Sequence, residues 1–166
     1  MWTRYYKKKK CLLTESNAYS ACIRKLNYRD YSCAELREFL REQEELSADF
    51  IETLLAELQE FGYINEERFA ENIYLGWLNG SHKGKYYLIN KLNKYSIKEN
   101  IIAKYQDLDM AELELARAKE LIEKYLTVKN ISLQEARAKV AVYLKNQYYS
   151  PDIINRAINC IASITK

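Results

Sequence analysis

The sequence predicts an all-α protein, built as an elongated array of three tandem three-helix repeats. Three observations predict this fold. Helix breakers are scarce, with four glycines and one proline in 166 residues, whereas folds rich in strands usually need more turn glycines. Apolar residues recur at a fixed spacing, and helix-capping signals precede successive amphipathic segments.

An apolar pair occurs three times at a constant spacing of 52 residues, from position 36 to 88 and from 88 to 140. The three copies are Leu36 and Leu40, Leu88 and Leu92, and Val140 and Leu144. A short amphipathic helix is stable only when its apolar face is buried against neighbours. The spacing therefore indicates a row of small cores, with contacts mainly between adjacent units.

The first repeat is predicted at residues 17–64. Its helices are predicted at 16–28, 33–44 and 48–61. Ser32 and Glu35 form a capping box at the start of the second helix, because each side chain can bond the other's backbone N–H. Ser47 is predicted to cap the third helix, and Gly62 to end it.

The second repeat is predicted at residues 65–108. Its helices are predicted at 66–79, 82–94 and 97–106. Asn65 is an N-cap for the first of them. Ser96 and Glu99 have capping-box spacing at the start of the third.

The third repeat is predicted at residues 109–166. Its helices are predicted at 110–127, 133–147 and 151–164. Ser132 and Glu135 form another capping box. Ser150 followed by Pro151 places a cap and then a proline at the first helical position, which is typical of a helix start.

The apolar faces of these helices predict one small core in each repeat. The predicted core residues are Leu36, Leu40, Ile51, Leu54, Leu55 and Leu58 in the first repeat, Phe69, Ile73, Leu88, Leu92, Ile97 and Ile101 in the second, and Leu121, Val140, Leu144, Ile154 and Ile158 in the third.

Charge is distributed unevenly, although the net charge is only +3. Residues 1–16 are predicted to be a basic N-terminal extension. Residues 35–60 are acidic, whereas residues 83–105 carry six lysines and one acid. Such a bipolar chain can meet partners of both signs, for example a nucleoprotein surface. Solvated helix faces would give the same pattern.

Several functional classes are not indicated by the sequence. No apolar run approaches the roughly 20 residues of a membrane span, and the start does not read as a secretory signal, so a cytoplasmic protein is expected. The four cysteines include no C-x-x-C pair and are expected to be reduced, small apolar residues. No cofactor-binding or metal-binding residues are predicted.

Catalytic motifs are also missing, and the expectation is that the protein is not an enzyme, with no catalytic residue. His82 is the single histidine, and it lies in a polar loop with no acid beside it in the sequence. It is interpreted as an exposed loop residue. A hydrolase with an unfamiliar site around His82 is the alternative from the enzyme class.

Two stretches of the sequence resemble the RecX family. Residues 26–36 (Leu-Asn-Tyr-Arg-Asp-Tyr-Ser-Cys-Ala-Glu-Leu) look like the first-repeat signature of that family. Residues 62–70 (Gly-Tyr-Ile-Asn-Glu-Glu-Arg-Phe-Ala) are similar to its most recognisable motif. Lys83-Gly84-Lys85 resembles part of its second repeat, and part of its third is similar to Leu144, Lys145, Tyr149, Ser150, Asp152 and Ile154. The family often has glycine where Tyr95 and Tyr148 stand, so these two turns are expected to be built differently.

The resemblance implies a regulator of modular three-helix repeats. Such a protein would bind the RecA filament on single-stranded DNA and inhibit its growth and its ATPase, strand-exchange and coprotease activities, without a cofactor. The resemblance leaves open a contact with single- or double-stranded DNA. The main alternative is a helical-repeat protein that binds nucleic acid directly, without RecA.

Candidate partner-binding residues come from the family-like motifs and from tyrosines that lie among lysines. Basic patches with aromatic rings suit nucleic acids and protein partners alike. The candidates are Arg29, Arg68, Lys83, Lys85, Tyr86, Tyr87, Lys91, Lys94 and Lys145. For Arg29, a bond within the chain to an acid or a helix-end carbonyl is the expected alternative.

Overall fold

The protein is all-helical. The structure, a computed structural model, describes residues 14–43 and 45–164, and within those ranges the chain forms nine helices and no strand. The helices are α1 (Glu15–Tyr28), α2 (Cys33–Arg41), α3 (Ala48–Glu60), α4 (Glu66–Gly80), α5 (Lys85–Lys94), α6 (Glu99–Gln106), α7 (Ala111–Lys129), α8 (Leu133–Asn146) and α9 (Pro151–Ile164). The all-α prediction is confirmed. Three successive sets of three helices are consistent with tandem repeats, whose elongated arrangement and boundaries stay predictions.

Two helix ends differ from the predicted ones by three residues. The second helix ends at Arg41, because the N–H of Gln43 donates to the carbonyl of Leu40 at 3.0 Å and tightens the last turn. The fifth helix begins at Lys85, because Gly84 before it has extended backbone with ψ of 167°. The other predicted ends agree within two residues.

The chain forms two compact units, one ending at Phe69 and the other beginning at Ala70. In the first unit, apolar faces of α1, α2 and α3 pack around one core. Every core residue predicted for the first repeat is buried there. This core also includes the fully buried Ala18 and Cys22 of α1.

The second unit contains a core formed by α7, α8 and α9. Val140, Leu144 and Ile158 are buried in it as predicted, whereas Leu121 lies at its edge. The apolar faces of α5 and α6 are also buried, through Leu88, Leu92 and Ile101, and so is Ile97 in the turn between these helices. Ile73 of α4 is only partly buried.

Most of the predicted helix caps are confirmed. The boxes of Ser32 with Glu35 and of Ser132 with Glu135 have both reciprocal bonds. The remaining caps are confirmed at Ser47, which accepts from the N–H of Phe50, Asn65, which accepts from that of Arg68, and Ser150, which accepts from that of Ile153. The sequence therefore predicted these five N-caps correctly, because each depends on a hydrogen bond between residues three apart.

The capping box predicted for Ser96 and Glu99 is wrong. Lys98 occupies the N-cap position of α6 and makes no side-chain cap bond. Ser96 instead lies two residues after the end of α5, in the left-handed region with φ of +53°, and its N–H donates to the carbonyl of Asn93 at 2.9 Å. The requirement for a left-handed residue after α5 outweighs the local S-x-x-E pattern.

The expectation that the turns at Tyr95 and Tyr148 are built differently is wrong for Tyr148 only, because Tyr95 has φ of −85° and is not left-handed. In the first turn the left-handed residue is Ser96, one position after Tyr95. In the second it is Tyr148 itself, with φ of +68°. Both turns therefore keep the left-handed residue that a glycine would supply most easily.

Two of the cysteines are packed as small apolar residues. Cys22 and Cys33 are buried and carry free thiols, and burial raises the pKa of Cys22 to about 11. Cys11 and most of the predicted basic extension lie outside the described residues. Among the described helices, none combines the length and the apolar character that crossing a membrane requires.

Candidate functional site

Gly84 brings the start of α5 into backbone contact with the turn between α8 and α9. Its amide donates a 2.9 Å hydrogen bond to the carbonyl oxygen of Gln147. A Cβ on Gly84 would lie 2.3 Å from the carbonyl oxygen of Tyr148, so only glycine permits this approach. The sequence shows Gly84 only as part of a family-like motif, and nothing in it predicts the contact.

Two buried aromatic side chains fix the loop between α4 and α5, just before Gly84. Trp77 Nε1 donates to the carbonyl of Lys83 at 2.9 Å, and the Tyr149 hydroxyl donates to that of His82 at 2.6 Å. Burial raises the pKa of Tyr149 above its ordinary value, so its hydroxyl stays a neutral donor. The backbone that carries the Lys83 side chain is therefore held in place by two hydrogen bonds.

Glu114 is a buried carboxylate at the N-terminus of α5. It is 7% exposed, and its Oε1 accepts the backbone N–H of Lys85 at 2.7 Å. Burial raises the pKa of Glu114, and the bond from Lys85 opposes that rise. No motif in the sequence singles out Glu114. The available signal was its spacing, because Glu114 stands four and eight residues before the fully buried Ala118 and Ile122.

The side chain of Lys85 is bound within the second unit. Its Nζ donates to the carbonyl oxygens of Gln106 and Leu108, at 2.5 Å each. These carbonyls lie at the end of α6 and just beyond it, where the helix leaves acceptors unsatisfied. Lys85 thus holds the end of α6 against the start of α5.

Lys83, Tyr87 and Tyr148 form a cation–aromatic group on the surface. Lys83 Nζ lies 4.2 Å from the centre of the Tyr87 ring and 5.7 Å from that of Tyr148. The two rings are 5.5 Å apart. A cation over an aromatic face contributes about 0.5–1 kcal/mol at an exposed site, so the lysine is oriented while its charge stays accessible.

Two grooves lie in this part of the second unit. The lysine groove has a volume of about 380 Å³ and is bordered by Trp77, Lys83, Tyr87 and Lys91 among others. The tyrosine groove has a volume of about 570 Å³. Its border includes Tyr86, Val142, Lys145, Tyr148 and Pro151.

Five of the predicted partner-binding residues border these grooves. Those that border the grooves are Lys83, Tyr86, Tyr87, Lys91 and Lys145. Lys94 is exposed on α5 and borders neither groove. Within the described ranges, Lys91, Lys94 and Lys145 take part in no ion pair. Their charges are therefore available to a partner.

Arg29 and Arg68 lie in the first unit and are held by neighbouring acids. Arg29 donates to both oxygens of Glu35, at 2.9 and 3.2 Å, and stacks 3.6 Å from the centre of the Tyr31 ring. Arg68 donates twice to Asp30 Oδ1, at 2.7 and 2.9 Å. The alternative expected for Arg29, a bond within the chain, is confirmed.

His82 is exposed, as the sequence predicted, and the acid nearest to it in space comes from a distant part of the chain. Its Nδ1 lies 4.0 Å from Glu120 Oε2 of α7, and both side chains are about two-thirds exposed. That distance exceeds a hydrogen bond. The pair is therefore a loose surface contact that does not orient the imidazole ring.

Curated relatives of this chain are regulatory proteins named RecX. The chain is 30% identical over 145 residues to RecX of Trichlorobacter lovleyi, covering 85% of this chain and 93% of that protein. It is 29% identical over 136 residues to RecX of Staphylococcus haemolyticus, covering 82% of this chain and 51% of that protein. A RecX protein of Lactococcus lactis is 23% identical over 141 residues, covering 82% of this chain and 52% of that protein. The chain thus spans about half the length of these last two relatives.

Solved structures of RecX proteins share the fold. The crystal structure of RecX from Lactobacillus salivarius superposes with a TM-score of 0.76 at 25% identity, covering 87% of this chain and 94% of that one. A second crystal structure, of a regulatory protein RecX, gives a TM-score of 0.77 at 20% identity, covering 87% and 71%. No family model matches the sequence.

Proposed function

The chain belongs to the RecX family, and on that premise we propose that it binds the RecA filament on single-stranded DNA and inhibits filament growth. Inhibition of the RecA ATPase, strand-exchange and coprotease activities would follow from loss of filament. Family membership is the observation that carries the proposal. As a RecX-type regulator, the protein would act in the cytoplasm by binding alone, without catalysis and without a cofactor.

The proposed partner-binding residues are those singled out in the sequence, and they are not equally placed. Lys83, Tyr86, Tyr87, Lys91 and Lys145 border the two grooves, where apolar surface and positive charge occur together. Lys94 adds an exposed charge on α5. Arg29, Arg68 and Lys85 are bound within the chain, so they would contact a partner only with the donors that remain.

The direct test adds the protein to RecA on single-stranded DNA and follows ATP hydrolysis. Less than one copy per RecA subunit should suffice, because blocking growth requires binding only at filament ends or gaps. Adding the protein before and after filament assembly gives the internal control, since a growth inhibitor acts more strongly when present first. Unchanged hydrolysis at equimolar protein in both orders would contradict the proposal.

Direct nucleic-acid binding is the second candidate function, and the cation–aromatic group of Lys83, Tyr87 and Tyr148 favours it. A base can stack on an exposed ring beside a lysine that meets the phosphate. Binding of a single-stranded oligonucleotide without RecA, over a salt series, tests this candidate. A steep fall of affinity with salt, together with no effect on RecA, would favour it over the RecX-type function.

A further inference from the structure

Tyr148 adopts a backbone conformation that tyrosine rarely adopts. Its φ is +68°, and it follows the C-cap of α8, where its N–H donates to the carbonyl of Lys145 at 3.0 Å. Glycine is preferred at this position, because a side chain in the left-handed region is strained. The other left-handed residues of the described chain are small or polar: Gly62, Ser96 and Asn130. A bulky residue held there indicates a use for its ring.

The ring of Tyr148 is not part of the core. It is 38% exposed, whereas the next residue, Tyr149, is 2% exposed and buried among the α7–α9 helices. One side of the Tyr148 ring contacts Tyr87, and the residue borders the tyrosine groove. The strained backbone therefore places an aromatic ring at the edge of an open groove.

The tyrosine groove is apolar with a single cation. Tyr86 is 53% exposed and Val142 59% exposed, and Pro151 and Ile154 continue the apolar lining. Lys145 supplies a positive charge, and the described residues that line the groove include no carboxylate. Apolar surface beside one uncompensated cation complements an apolar side chain that has a carboxylate next to it.

The lining favours a protein segment over a nucleic acid. Nucleic-acid affinity comes mainly from several phosphate contacts along the backbone, and this groove offers one lysine. Its amide side chains, Asn90 and Asn155, can donate to and accept from a peptide backbone. Aliphatic residues such as Val142 and Ile154 pack against apolar side chains better than against sugar and phosphate.

We propose that the tyrosine groove is a docking site for a protein segment that presents an aromatic or leucine side chain beside carboxylates, with Tyr148 as its anchor. The inference rests on the proposed function in taking the partner to be a protein. It adds the chemistry of the segment and the residues that would recognise it.

The first probe is a library of random short peptides displayed on phage and selected on the immobilised full chain. Enriched peptides should carry an aromatic or leucine residue flanked by Asp or Glu. A labelled enriched peptide should bind Val142→Glu about tenfold or more weakly than wild type, since the change puts a like charge beside the peptide's acids. Val128→Glu is the matched control, because Val128 is an exposed valine, 72% accessible, outside the groove.

Tyr148→Asn tests the anchor itself. Asparagine tolerates the left-handed region, so the variant should melt no lower than wild type while binding the peptide about tenfold or more weakly. A lower melting temperature with unchanged peptide binding would make Tyr148 a packing residue and overturn the proposal. Failure to enrich any peptide, enrichment of basic peptides, or equal losses in Val142→Glu and Val128→Glu would overturn it too.

RecA filaments on single-stranded DNA separate this inference from the proposed function. Peptide binding that is lost in Val142→Glu, in a protein that leaves RecA unaffected, would remove the RecA proposal and keep the groove. Unimpaired filament inhibition by both groove variants, together with unchanged peptide binding, would keep the RecA proposal and overturn the groove. An oligonucleotide, or a second copy of the chain, that binds wild type and not Val142→Glu would also overturn the assignment to an acidic segment.

Discussion

Gly84 and Tyr148 meet backbone to backbone, and this contact joins the start of α5 to the α8–α9 turn. A Cβ on Gly84 would lie 2.3 Å from the Tyr148 carbonyl oxygen. Gly84→Ala should therefore force the two segments apart and lower the free energy of unfolding by about 1–3 kcal/mol, the usual cost of overpacking. Thermal or urea unfolding followed by circular dichroism measures the loss.

Gly76→Ala is the matched control for that prediction. Gly76 lies inside α4, and a Cβ there would meet nothing within 4 Å. Alanine should stabilise the helix by roughly 0.5–1 kcal/mol, because glycine loses more backbone entropy on folding. Equal effects of the two substitutions would show that the close approach at Gly84 does not limit stability.

Leu88→Ala should be strongly destabilising. Leu88 is 1% exposed on α5, so removing its side chain loses transfer free energy and leaves a cavity. The expected cost is about 2–5 kcal/mol. The exposed neighbour Tyr86 offers a comparison on the same helix, since Tyr86→Ala should cost much less. A Leu88→Ala melting curve that overlays the wild-type curve would contradict the assigned burial.

Ser32→Ala tests the capping box at the start of α2. The Ser32 hydroxyl accepts a hydrogen bond from the N–H of Glu35 at 3.1 Å. The Glu35 carboxylate accepts one from the N–H of Ser32, also at 3.1 Å. Alanine removes the first bond and should cost about 1 kcal/mol. Ser47→Ala, at the start of α3, should behave similarly by chemical denaturation. No measurable change in the free energy of unfolding of either variant would contradict a stabilising role for these caps.

The sequence was sufficient for features that depend on neighbours along the chain. Helix positions, the caps at Ser32 and Ser132, and buried faces through Leu40 and Leu144 follow from spacing and local hydrogen bonding. The same local rule failed at Ser96, where the geometry of the preceding helix end decides the backbone.

The candidate site depended on contacts between distant segments, and these were not readable. The Lys85 amide meets Glu114 only because α7 packs beside the start of α5. The Lys85 side chain reaches carbonyls beyond α6 for the same reason, although its sequence context suggests a free surface charge. Composition indicated a basic and aromatic region, but it could not rank the residues within it.

Glu114 should make stability depend on pH. Burial raises its pKa above the ordinary value of 4.5, so the native state holds its proton to a higher pH than the unfolded chain does. This contribution to stability is fully present below the ordinary pKa and is lost as pH rises through the raised one. Wild type should lose stability relative to Glu114→Gln over that window, as measured by urea unfolding at several pH values.

Glu114→Ala separates the charge from the hydrogen bond. Alanine leaves the Lys85 N–H without its acceptor, which should cost about 1–3 kcal/mol. Glutamine keeps an acceptor oxygen, so Glu114→Gln should be the more stable of the two variants at neutral pH. A stability difference between wild type and Glu114→Gln that stays constant with pH would contradict the raised pKa.

Charge reversal around the grooves should weaken filament binding. Lys83, Lys91 and Lys145 are suitable targets, because each borders a groove and none is held by an acid in the described part of the chain. Lys85 is unsuitable, because a carboxylate there would face two carbonyl oxygens that its amine now satisfies. Lys85→Glu would therefore lower stability and confuse the result.

The triple variant Lys83→Glu, Lys91→Glu and Lys145→Glu should bind RecA filaments more slowly and less tightly, with a shallower dependence on salt. The reason is that long-range attraction sets association rates, and the variant replaces three positive charges with three negative ones. Reversal at Lys83 also removes its contact with the Tyr87 ring, which should lower the free energy of unfolding by about 0.5–1 kcal/mol, and circular dichroism checks that the fold is kept. The control carries the same charge change at the exposed residues Lys124, Lys129 and Lys139. Equal binding and equal salt slopes for the two triple variants would show that net charge alone acts, and that the grooves are not the contact surface.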